Sequence, residues 1–340
     1  MTTRHVVAAD DRTGALEVAA EMASVDAPVP VVVGVQTGEI DSRCVVLDID
    51  TRQRSSAIAA ARAADAERLG GSWSAHKIDS TLRGNWRSEM RARMRTGHRR
   101  LLLMPAWPAM GRTCVDGVVH VHGAPLASMR DLVTDAWILR GPDELLHWIE
   151  RGNQVAVCDV RDDQMLAEVA AVAAAAPADV LVVGPAGSVG AVARCRTGAP
   201  RRAAVPSLDG PTMVVCGSAT AIAHEQLARL AAAHPEVDIV ADRPAVGSLV
   251  PDVARAVVAG AADMLARRPY ATVVIIGGTT AASLLGDAPR LVGGTVLPGL
   301  PWSRSLDGTG PLVITKAGAF GHVDTLVDLF SHPGGEERFA

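Results

Sequence analysis

Short apolar runs rich in valine recur along the whole chain, and most of them end in Gly, Asp or Pro. Stretches with helical periodicity, such as 14–24, 55–69 and 221–233, lie between most of these runs. Continuous apolar strands that alternate with helices are typical of parallel sheets covered on both faces. The sequence therefore predicts an α/β fold whose ligands bind in the loops at the carboxyl ends of strands. The runs that we interpret as strands are 6–9, 29–35, 44–49, 101–104, 155–158, 180–183, 213–216, 237–240, 273–276 and 312–315.

The length of the chain favours two domains. A chain of 340 residues is long for a single core. The stretch 197–211 mixes Pro, Gly and basic residues and separates two series of strands and helices. We therefore expect an N-terminal domain at 1–205 and a C-terminal domain at 206–340, each with a mainly parallel sheet flanked by helices. A second stretch rich in Gly and Pro, 286–310, is expected to be irregular.

Composition and charge argue against several classes of function. The net charge of -4 shows no basic excess, which argues against a nucleic-acid-binding protein. No apolar run reaches the roughly 18 to 20 residues that span a membrane. The five cysteines are scattered without the spacing of a disulfide framework or a metal site, and the N-terminus lacks the pattern of a secretory signal. We therefore expect a cytoplasmic protein that binds neither nucleic acid nor membranes.

The first candidate site directly follows the first apolar run. Asp10 and Asp11 lie at the end of that run, and Thr13 and Gly14 follow at the predicted start of a helix. Adjacent carboxylates at a strand end can hold Mg²⁺, bind sugar hydroxyls or act as a general base. One Asp is enough to cap a helix, so the pair favours a functional role over a purely structural cap. The N-terminal amides of the predicted helix favour an anion.

The stretch 77–85 concentrates charged and hydroxyl side chains in the order Lys-Ile-Asp-Ser-Thr-Leu-Arg-Gly-Asn. Such a stretch can be an ordinary polar loop before a charged helix. Asp, Ser and Thr back to back favour turns over a solvated helix face. Lys77 and Arg83 are suited to a carboxylate or a phosphate. Because Asp79 and Ser80 can bind hydroxyls, the stretch predicts a pocket for a small polyhydroxylated anion.

A constrained loop precedes Arg112. Two prolines, at 105 and 108, and Gly111 follow a predicted strand and present Arg112 at the end of the loop. His120 and His122 lie two residues apart, which on a strand places them on one face. They lack a third nearby metal ligand, so we expect polar surface there and no metal site.

Three glycine-bearing turns in the predicted second domain each join a strand to a helix. Backbone amides at such turns can surround a polyphosphate. None has the P-loop pattern or the Gly-x-Gly-x-x-Gly dinucleotide pattern, and glycine at a single tight turn needs no ligand. Three turns together in one domain favour nucleotide binding. The candidate residues are Ser218, Gly277, Gly278, Thr279, Thr280, Lys316, Gly318 and Gly321.

These motifs, in this order, resemble the four-carbon acid sugar kinase family, whose members include 3-oxo-tetronate and threonate kinases. The likeness spans nearly the whole chain, and its most specific parts are Ala-Asp-Asp-x-Thr-Gly-Ala at 9–15 and Asp-Ser-Thr-Leu-Arg-Gly at 79–84. The resemblance implies an N-terminal acid-sugar domain, a C-terminal ATP domain and Mg²⁺-dependent phosphoryl transfer in the cleft between them. It also implies that ATP contacts Ser218, the 277–280 turn and Gly318.

Two segments of the chain depart from the family pattern. The family's nucleotide turn usually reads Gly-Gly-Asp/Glu-Thr, whereas this chain has Thr279 in place of the acid. The helix after Ser218 opens with Ala-Thr-Ala-Ile-Ala and lacks the family's second Ser and its Thr. The departures therefore fall on the nucleotide side, and the acceptor motifs are retained.

Our hypothesis from the sequence is an ATP-dependent, Mg²⁺-using kinase that phosphorylates a hydroxyl of a small sugar acid. Asp10 or Asp11 is the candidate for the base, with the other near Mg²⁺, and Lys316 could neutralise the phosphates. The candidate catalytic residues are Asp10, Asp11 and Arg83. The candidate substrate-binding residues are Asp10, Thr13, Lys77, Asp79, Ser80, Arg83, Gly111 and Arg112.

Other functions are compatible with the same motifs. A kinase of the same build could act on a different hydroxy acid or on an amino acid. A non-catalytic sensor of a sugar acid or a nucleotide is a further alternative, which Thr279 makes conceivable. A dehydrogenase is least favoured because the chain lacks the glycine fingerprint with its downstream acid. The expected partners are a sugar acid and ATP, and the oligomeric state, including a homo-oligomer, is left open.

Overall fold

The computed structural model describes residues 4–24, 27–35, 40, 42–98, 100–152, 154–198, 206–241 and 250–331. The chain divides into two compact units, Met1–Ala23 with Val29–Arg201 and Ser24–Pro28 with Arg202–Ala340. The boundary that we predict between 205 and 206 falls at the end of 199–205, a stretch outside the described residues.

The first unit contains most of the strands and helices of the chain. Its strands are β1 (His5–Ala9), β2 (Val29–Val33), β3 (Cys44–Asp48), β4 (Trp73–Lys77), β5 (Arg100–Leu103), β6 (Arg112–Val115), β7 (Val118–Val121), β8 (Ala124–Ser128), β9 (Trp137–Leu139), β10 (Val155–Cys158) and β11 (Val180–Gly184). Its helices are α1 (Arg12–Met22), α2 (Ser56–Arg68), α3 (Trp86–Thr96), α4 (Met129–Leu132), α5 (Pro142–Arg151), α6 (Asp163–Ala174) and α7 (Ala186–Thr197).

The main sheet of the first unit has the strand order β2-β3-β1-β4-β11-β5-β10-β9, and neighbouring strands pair in parallel. Its central strands are buried along nearly their whole length, as expected for a parallel sheet covered on both faces. Strands β6, β7 and β8 form a separate antiparallel sheet. The predicted alternation of strands and helices is therefore confirmed for this unit.

Helix α1 is buried along its whole length because it packs closely against α7. Both helices are rich in Ala and Gly, which lets their backbones approach. A Cβ on Gly190 would lie only 2.3 Å from the Cβ of Glu21, so alanine does not fit at position 190. On the side of α2, Ala63 and Ala66 pack against Val45, Leu47 and other sheet residues.

The second unit follows the same alternating pattern. Its strands are β12 (Thr212–Cys216), β13 (Asp238–Ala241), β14 (Thr272–Ile276), β15 (Arg290–Leu297), β16 (Leu300–Ser305) and β17 (Leu312–Lys316). Its helices are α8 (Ala221–Ala233), α9 (Val250–Arg267), α10 (Gly278–Leu285) and α11 (Thr325–Ser331).

Within the second unit the strand order is β13-β12-β14-β17-β16-β15, in which β13, β12, β14 and β17 pair in parallel. Alternate residues of each strand point to opposite faces. Val214 and Val274 pack with residues of α8 and α11, whereas Met213 and Val273 pack with residues of α9. Helices therefore cover both faces, which confirms the predicted architecture.

The prediction that 286–310 is irregular is wrong. Strands β15 and β16 form an antiparallel pair within this stretch, and β16 pairs with β17. The glycines that suggested a loop have a packing role, because a Cβ on Gly293 would lie 2.1 Å from the indole of Trp302. A register irregularity between Val292 and Gly294 marks the same position. Over the part of the chain that the structure describes, none of the helices is long and apolar enough to span a membrane.

Candidate active site

The strands β1, β3 and β4 end at the same level of the first sheet. Ala9 pairs with Asp48 on one side and with Lys77 on the other, and Lys77 is level with Gly184 of β11. The loops that follow these strands therefore leave the sheet side by side. This arrangement brings together the two most specific sequence motifs, which lie about 70 residues apart in the chain.

Asp10 and Asp11 are both held by Arg52, which lies in the loop after β3. The guanidinium donates to both carboxylate oxygens of Asp10, at 2.8 and 2.7 Å, and to Asp11 at 2.6 Å. Asp11 also caps α1 by accepting a hydrogen bond from the amide of Gly14 at 2.9 Å. Burial raises the pKa of Asp11, and the positive charges of Arg52 and Lys77 oppose that shift. The predicted pair is thus part of a preorganised ion cluster.

Lys77 extends its amine into the same cluster. Its side chain is 4% exposed, and its Nζ lies 4.0 Å from Asp10, 4.0 Å from Asp11 and 3.7 Å from Oε2 of Glu17. The amine of Lys77 can occupy this position only because residue 14 is glycine. A Cβ on Gly14 would lie 2.1 Å from the Nζ of Lys77 and 2.7 Å from Oδ1 of Asp11. Gly14 therefore has a steric role in addition to opening the helix.

Asp79 organises the turn after β4. It accepts hydrogen bonds from the hydroxyl of Thr81 at 2.5 Å and from the guanidinium of Arg83 at 2.8 and 2.7 Å. Burial alone would raise the pKa of Asp79. The hydrogen bond from Arg83 and the charges of Arg52 and Lys77 instead hold this pKa well below its usual range. The Arg83 side chain is 70% exposed, so its cation faces solvent while Asp79 fixes its orientation.

The turn itself requires unusual backbone geometry. Leu82 has a φ of 63° and Gly84 a φ of 89°, both in the left-handed region. Ser80 is half-buried within this turn. The side-chain amide of Asn85 donates to the carbonyls of Thr51 and Arg54, both at 2.8 Å, and so joins the loop after β4 to the loop after β3.

Arg112 is buried at the start of β6. Its guanidinium donates to the carbonyl of Met110, and it contacts Nε2 of His122 at 3.1 Å. Gly111 has a φ of 71°, and a Cβ there would lie 2.4 Å from the His122 ring. Burial lowers the pKa of Arg112, and the negative charges of Asp79 and Glu17 oppose that shift. His122 lies in the turn after β7, with a φ of 48°, so the one-face argument for strand residues does not apply to the pair His120 and His122.

Two buried threonine hydroxyls lie next to the cluster. The Oγ1 atoms of Thr13 and Thr51 have no hydrogen-bond partner among the described residues. Thr13 lies beside Asp11 and Gly14 in the first turn of α1, and Thr51 precedes Arg52. A buried hydroxyl without a partner is costly, and a bound polar ligand would satisfy it.

Sequence analysis missed two residues of this cluster, Arg52 and Glu17. The signal for Arg52 was its place in a polar loop directly after a predicted strand. Asp10 was selected because it also directly follows a predicted strand. Glu17 gave no comparable signal, because a single acid in an Ala-rich helix is typical of a solvent-exposed face. Its burial follows from the packing of α1 against α7.

The second unit repeats the arrangement of level strand ends. Cys216 pairs with Ile276, which in turn pairs with Lys316, so three glycine-bearing turns begin at one edge. Gly318 lies against Ser218, since a Cβ on Gly318 would be 2.1 Å from the Oγ of Ser218. The hydroxyl of Thr220 donates to the carbonyl of Gly318 at 2.9 Å and lies 3.1 Å from the Oγ of Ser218.

Lys316 is fully buried at the end of β17. Its amine donates to the carbonyls of Ala317 at 3.0 Å and Gly318 at 3.3 Å. Burial lowers the pKa of Lys316 to about 8. An amine with this pKa is still mostly protonated at neutral pH, so it remains suited to an anion.

The turn before α10 begins with Gly277, whose φ of 109° is outside the range that other residues favour. Gly278 is the first residue of the helix, Thr279 is exposed and Thr280 is buried. Thr279, which occupies the position of the acid in the family pattern, is thus open to solvent. Gly321 differs from the other predicted glycines, because the neighbours that a Cβ there would meet all belong to Thr325.

The cluster does not have the character of a protein metal site. Among the described residues, no group of three or more His, Cys, Asp or Glu side chains is arranged to hold a metal ion. Asp10 and Asp11 already accept charged hydrogen bonds from Arg52. The carboxylate pair therefore fits hydroxyl binding better than direct coordination of Mg²⁺.

The sequence is similar to sugar-acid kinases. A family described as a sugar-binding N-terminal domain matches residues 5–135, which contain both acceptor motifs. A D-threonate kinase from Cupriavidus necator is 29% identical over 262 residues, which are 66% of this chain and 63% of that kinase. A D-threonate kinase from Salmonella typhimurium is 34% identical over 131 residues, which are 36% of this chain and 31% of that kinase. The chain thus matches less than two thirds of the length of either kinase.

The fold is also similar to that of a solved Haemophilus influenzae protein described as DUF1537. The two structures have a TM-score of 0.71 at 18% identity, over 96% of this chain and 99% of that chain. A likeness at this level of identity supports the fold alone.

Proposed function

We propose that the chain is a member of the four-carbon acid sugar kinase family, an ATP-dependent kinase that phosphorylates a hydroxyl of a small sugar acid; the similarity to the sugar-binding domain and to the two D-threonate kinases supports this proposal. We propose a four-carbon tetronate or 3-oxo-tetronate as the acceptor. The proposal for the acceptor rests on the names of the two D-threonate kinases and on the chemistry of the cluster around Lys77.

The observation that carries the proposal is the balanced ion cluster at the strand ends of the first unit. Four carboxylates converge there with three cations that pair with them, the charge of Arg112 also acts on Asp79 and Glu17, and most of these side chains are buried or half-buried. Such a site can match a molecule that has a negative charge and several hydroxyls. The carboxylates are Asp10, Asp11, Glu17 and Asp79, and the cations are Arg52, Lys77, Arg83 and Arg112.

We assign the acceptor roles by the exposure and hydrogen bonding of each group. Arg83 and Arg112 bind the substrate carboxylate or the phosphoryl group, since guanidinium groups suit both. The hydroxyls are bound by the predicted set of polar groups around Lys77, and Gly111 gives Arg112 its position. That set is Asp10, Asp79 and Ser80, and Thr13 adds a hydroxyl without a partner among the described residues.

In the second unit, the turns at Ser218, Gly277 and Gly318 are the proposed nucleotide site. The side chain of Ser218 packs so closely on Gly318 that a Cβ there has no room, and glycine-bearing turns of this kind can offer their backbone amides to phosphate oxygens. Lys316 lies at the same edge. Mg²⁺ typically binds through substrate phosphates and only one or two carboxylates, so we propose that it is held mainly by the nucleotide.

The first test is an ATP-consumption assay against a panel of tetronates, 3-oxo-tetronates and larger aldonates. We expect turnover with a four-carbon acid. Arg83→Ala is expected to lower kcat/KM for that acid by about 10- to 150-fold, since a hydrogen bond to a charged group contributes about 1.5–3 kcal/mol. The matched control is Arg87→Ala, an exposed arginine four residues further along, which is expected to leave kcat/KM unchanged.

Two results would count against this function. One is the absence of turnover with every acid in the panel despite clear ATP binding, which would indicate a sensor. The other is an equal effect of Arg83→Ala and Arg87→Ala, because the loss would then reflect surface charge in general.

The nucleotide site is tested by Gly318→Ala. The new Cβ would overlap the Oγ of Ser218 at 2.1 Å, and it would approach the Cβ of Ser218 to 2.9 Å. We expect ATP affinity, measured by calorimetry, to fall about tenfold or more, because a misplacement of about 1 Å is costly in a preorganised site. Gly260→Ala, on an exposed position of α9, is the control. Equal ATP affinity of the two variants would argue against this location.

A further inference from the structure

Glu17 differs from the other carboxylates of the cluster. It is 5% exposed, and among the described residues it accepts no hydrogen bond from the protein. Of the residues that the structure describes, Lys77 pairs with it, at 3.7 Å between Oε2 and Nζ, which is longer than a hydrogen bond. A buried carboxylate with free lone pairs is unusual and normally has a ligand or a function.

The neighbouring acids are already occupied by cations or helix amides. Both oxygens of Asp10 accept bonds from Arg52, and Asp11 accepts from Arg52 and from the amide of Gly14. Asp79 is held by the guanidinium of Arg83. A hydroxyl that approached Asp10 or Asp79 would have to displace these charge-assisted hydrogen bonds, whereas Glu17 has free lone pairs for it.

On the basis of the proposed function, we propose that Glu17 is the catalytic base that takes the proton of the acceptor hydroxyl, and that Lys77 holds the oxygen of that hydroxyl. Nothing in the family match assigns this role.

The spacing of the two side chains suits this step. An oxygen at about 2.8–3.0 Å from both Nζ of Lys77 and Oε2 of Glu17 fits over their 3.7 Å separation. The hydroxyl proton moves to Oε2 as the oxygen forms its bond to the γ-phosphorus of a nucleoside triphosphate. The bond from that phosphorus to the bridging oxygen breaks, and its electron pair leaves with the nucleoside diphosphate. The ammonium of Lys77 stabilises the negative charge that develops on the acceptor oxygen.

The electrostatics around Glu17 support the assignment. Burial raises the pKa of Glu17 to about 7, and the charge of Lys77 limits that rise. A base is most effective when its pKa lies near the working pH. The charged groups that act on Glu17 come from the loops after β1, β3 and β4 and from β6. They are Asp11, Arg52, Lys77, Asp79 and Arg112.

Glu17→Gln tests the role in turnover. Gln has nearly the same shape and cannot take the proton, so we expect kcat to fall by about 10²- to 10⁴-fold. Binding of the acid, measured by calorimetry, should persist. In the wild type, kcat/KM should rise with pH, and the pH–rate profile should show an ascending limb near pH 7. This limb should be lost in Glu17→Gln. Asp11→Asn should lose activity but keep the limb.

A second measurement does not depend on activity. In the folded protein Glu17 keeps its proton up to about pH 7, whereas in the unfolded chain it loses the proton near pH 4.5. The free energy of unfolding must therefore fall as pH rises between these two values. Glu17→Gln removes this penalty. Its melting temperature relative to the wild type should therefore rise from pH 5 to pH 7 and stay level above.

Glu21→Gln is the matched control, because Glu21 lies one turn further along α1 and pairs with Arg194 at 3.0 Å. It should keep the wild-type pH limb. A limb that survives in Glu17→Gln, or an unchanged pH dependence of its melting temperature, would overturn the role of Glu17. A wild-type protein without turnover on any acid would instead overturn the proposed function itself.

Discussion

Gly14→Ala is expected to lower kcat/KM for the acid by about 100-fold or more. The reason is that a displacement of a catalytic group by about 1 Å costs roughly this factor. The added Cβ would lie 2.1 Å from the Nζ of Lys77, and ordinary contact begins at 3.4 Å. The amine must therefore move by more than 1 Å away from Glu17 and the Asp10–Asp11 pair. The same Cβ crowds Oδ1 of Asp11, which caps the helix.

The free energy of unfolding should change little in Gly14→Ala. The crowded atoms are the ends of the Lys77 and Asp11 side chains and not backbone, so the fold can accommodate the Cβ by small side-chain movements. Alanine also favours a helix over glycine by about 1 kcal/mol, which offsets a weakened cap. The effect on function is therefore expected to exceed the effect on stability.

Gly190→Ala is the contrasting variant for this test. Its Cβ would lie 2.3 Å from the Cβ of Glu21 and 3.3 Å from the backbone of Glu21, so the helices must separate. Overpacking of this kind costs about 1–3 kcal/mol. We expect the larger loss of stability in Gly190→Ala and the larger loss of kcat/KM in Gly14→Ala. The reverse pattern would contradict the steric role of Gly14.

Arg52→Met is expected to destabilise the first unit by about 3–5 kcal/mol, the usual cost of leaving a buried charge without its partner. Asp10 is 1% exposed and has Arg52 as its hydrogen-bonding cation at 2.7 and 2.8 Å. Methionine has a similar length and removes the charge. The loss should appear as a lower urea midpoint in tryptophan fluorescence, because Trp73, Trp86 and Trp148 are buried in this unit.

The control for Arg52 lies two residues away. Arg54 pairs with Asp50, and both side chains are about half exposed. Exposed ion pairs are screened by solvent and contribute little to stability, so Arg54→Met should change the midpoint little. Arg52→Lys, which keeps the charge but loses the paired hydrogen bonds, should lie between the two. Equal midpoints for Arg52→Met and Arg54→Met would show that the Asp10 charge is stable without Arg52.

The architecture could be predicted because its signal is local. Parallel strands are recognised from short apolar runs, and the alternation with helices is visible along the chain. The exception, 286–310, shows the limit of this approach. Glycine in that stretch makes room for the indole of Trp302 on a neighbouring strand, a partner that local composition cannot reveal.

The site could be predicted only in part. Asp10, Lys77 and Asp79 were found because their motifs are dense and lie at strand ends. Arg52 was missed because its importance comes from the sheet order, which places β3 beside β1. Glu17 was missed for a different reason. A helix with one face toward solvent and a helix buried by close packing on small residues have similar sequences, and only the tertiary structure separates them.

The hydrogen bonds of Asn85 have a consequence for attempts to change the acid that is accepted. Because its amide ties the loop after β4 to the carbonyls of Thr51 and Arg54, the two loops form one cassette. Both acceptors are main-chain carbonyls, so these bonds depend on the conformation of the loop after β3 and on Asn85 in the loop after β4. A graft of one loop that changes either of them would break the link. A specificity exchange should therefore transplant 49–55 and 78–85 together, although the two segments are separate in the chain.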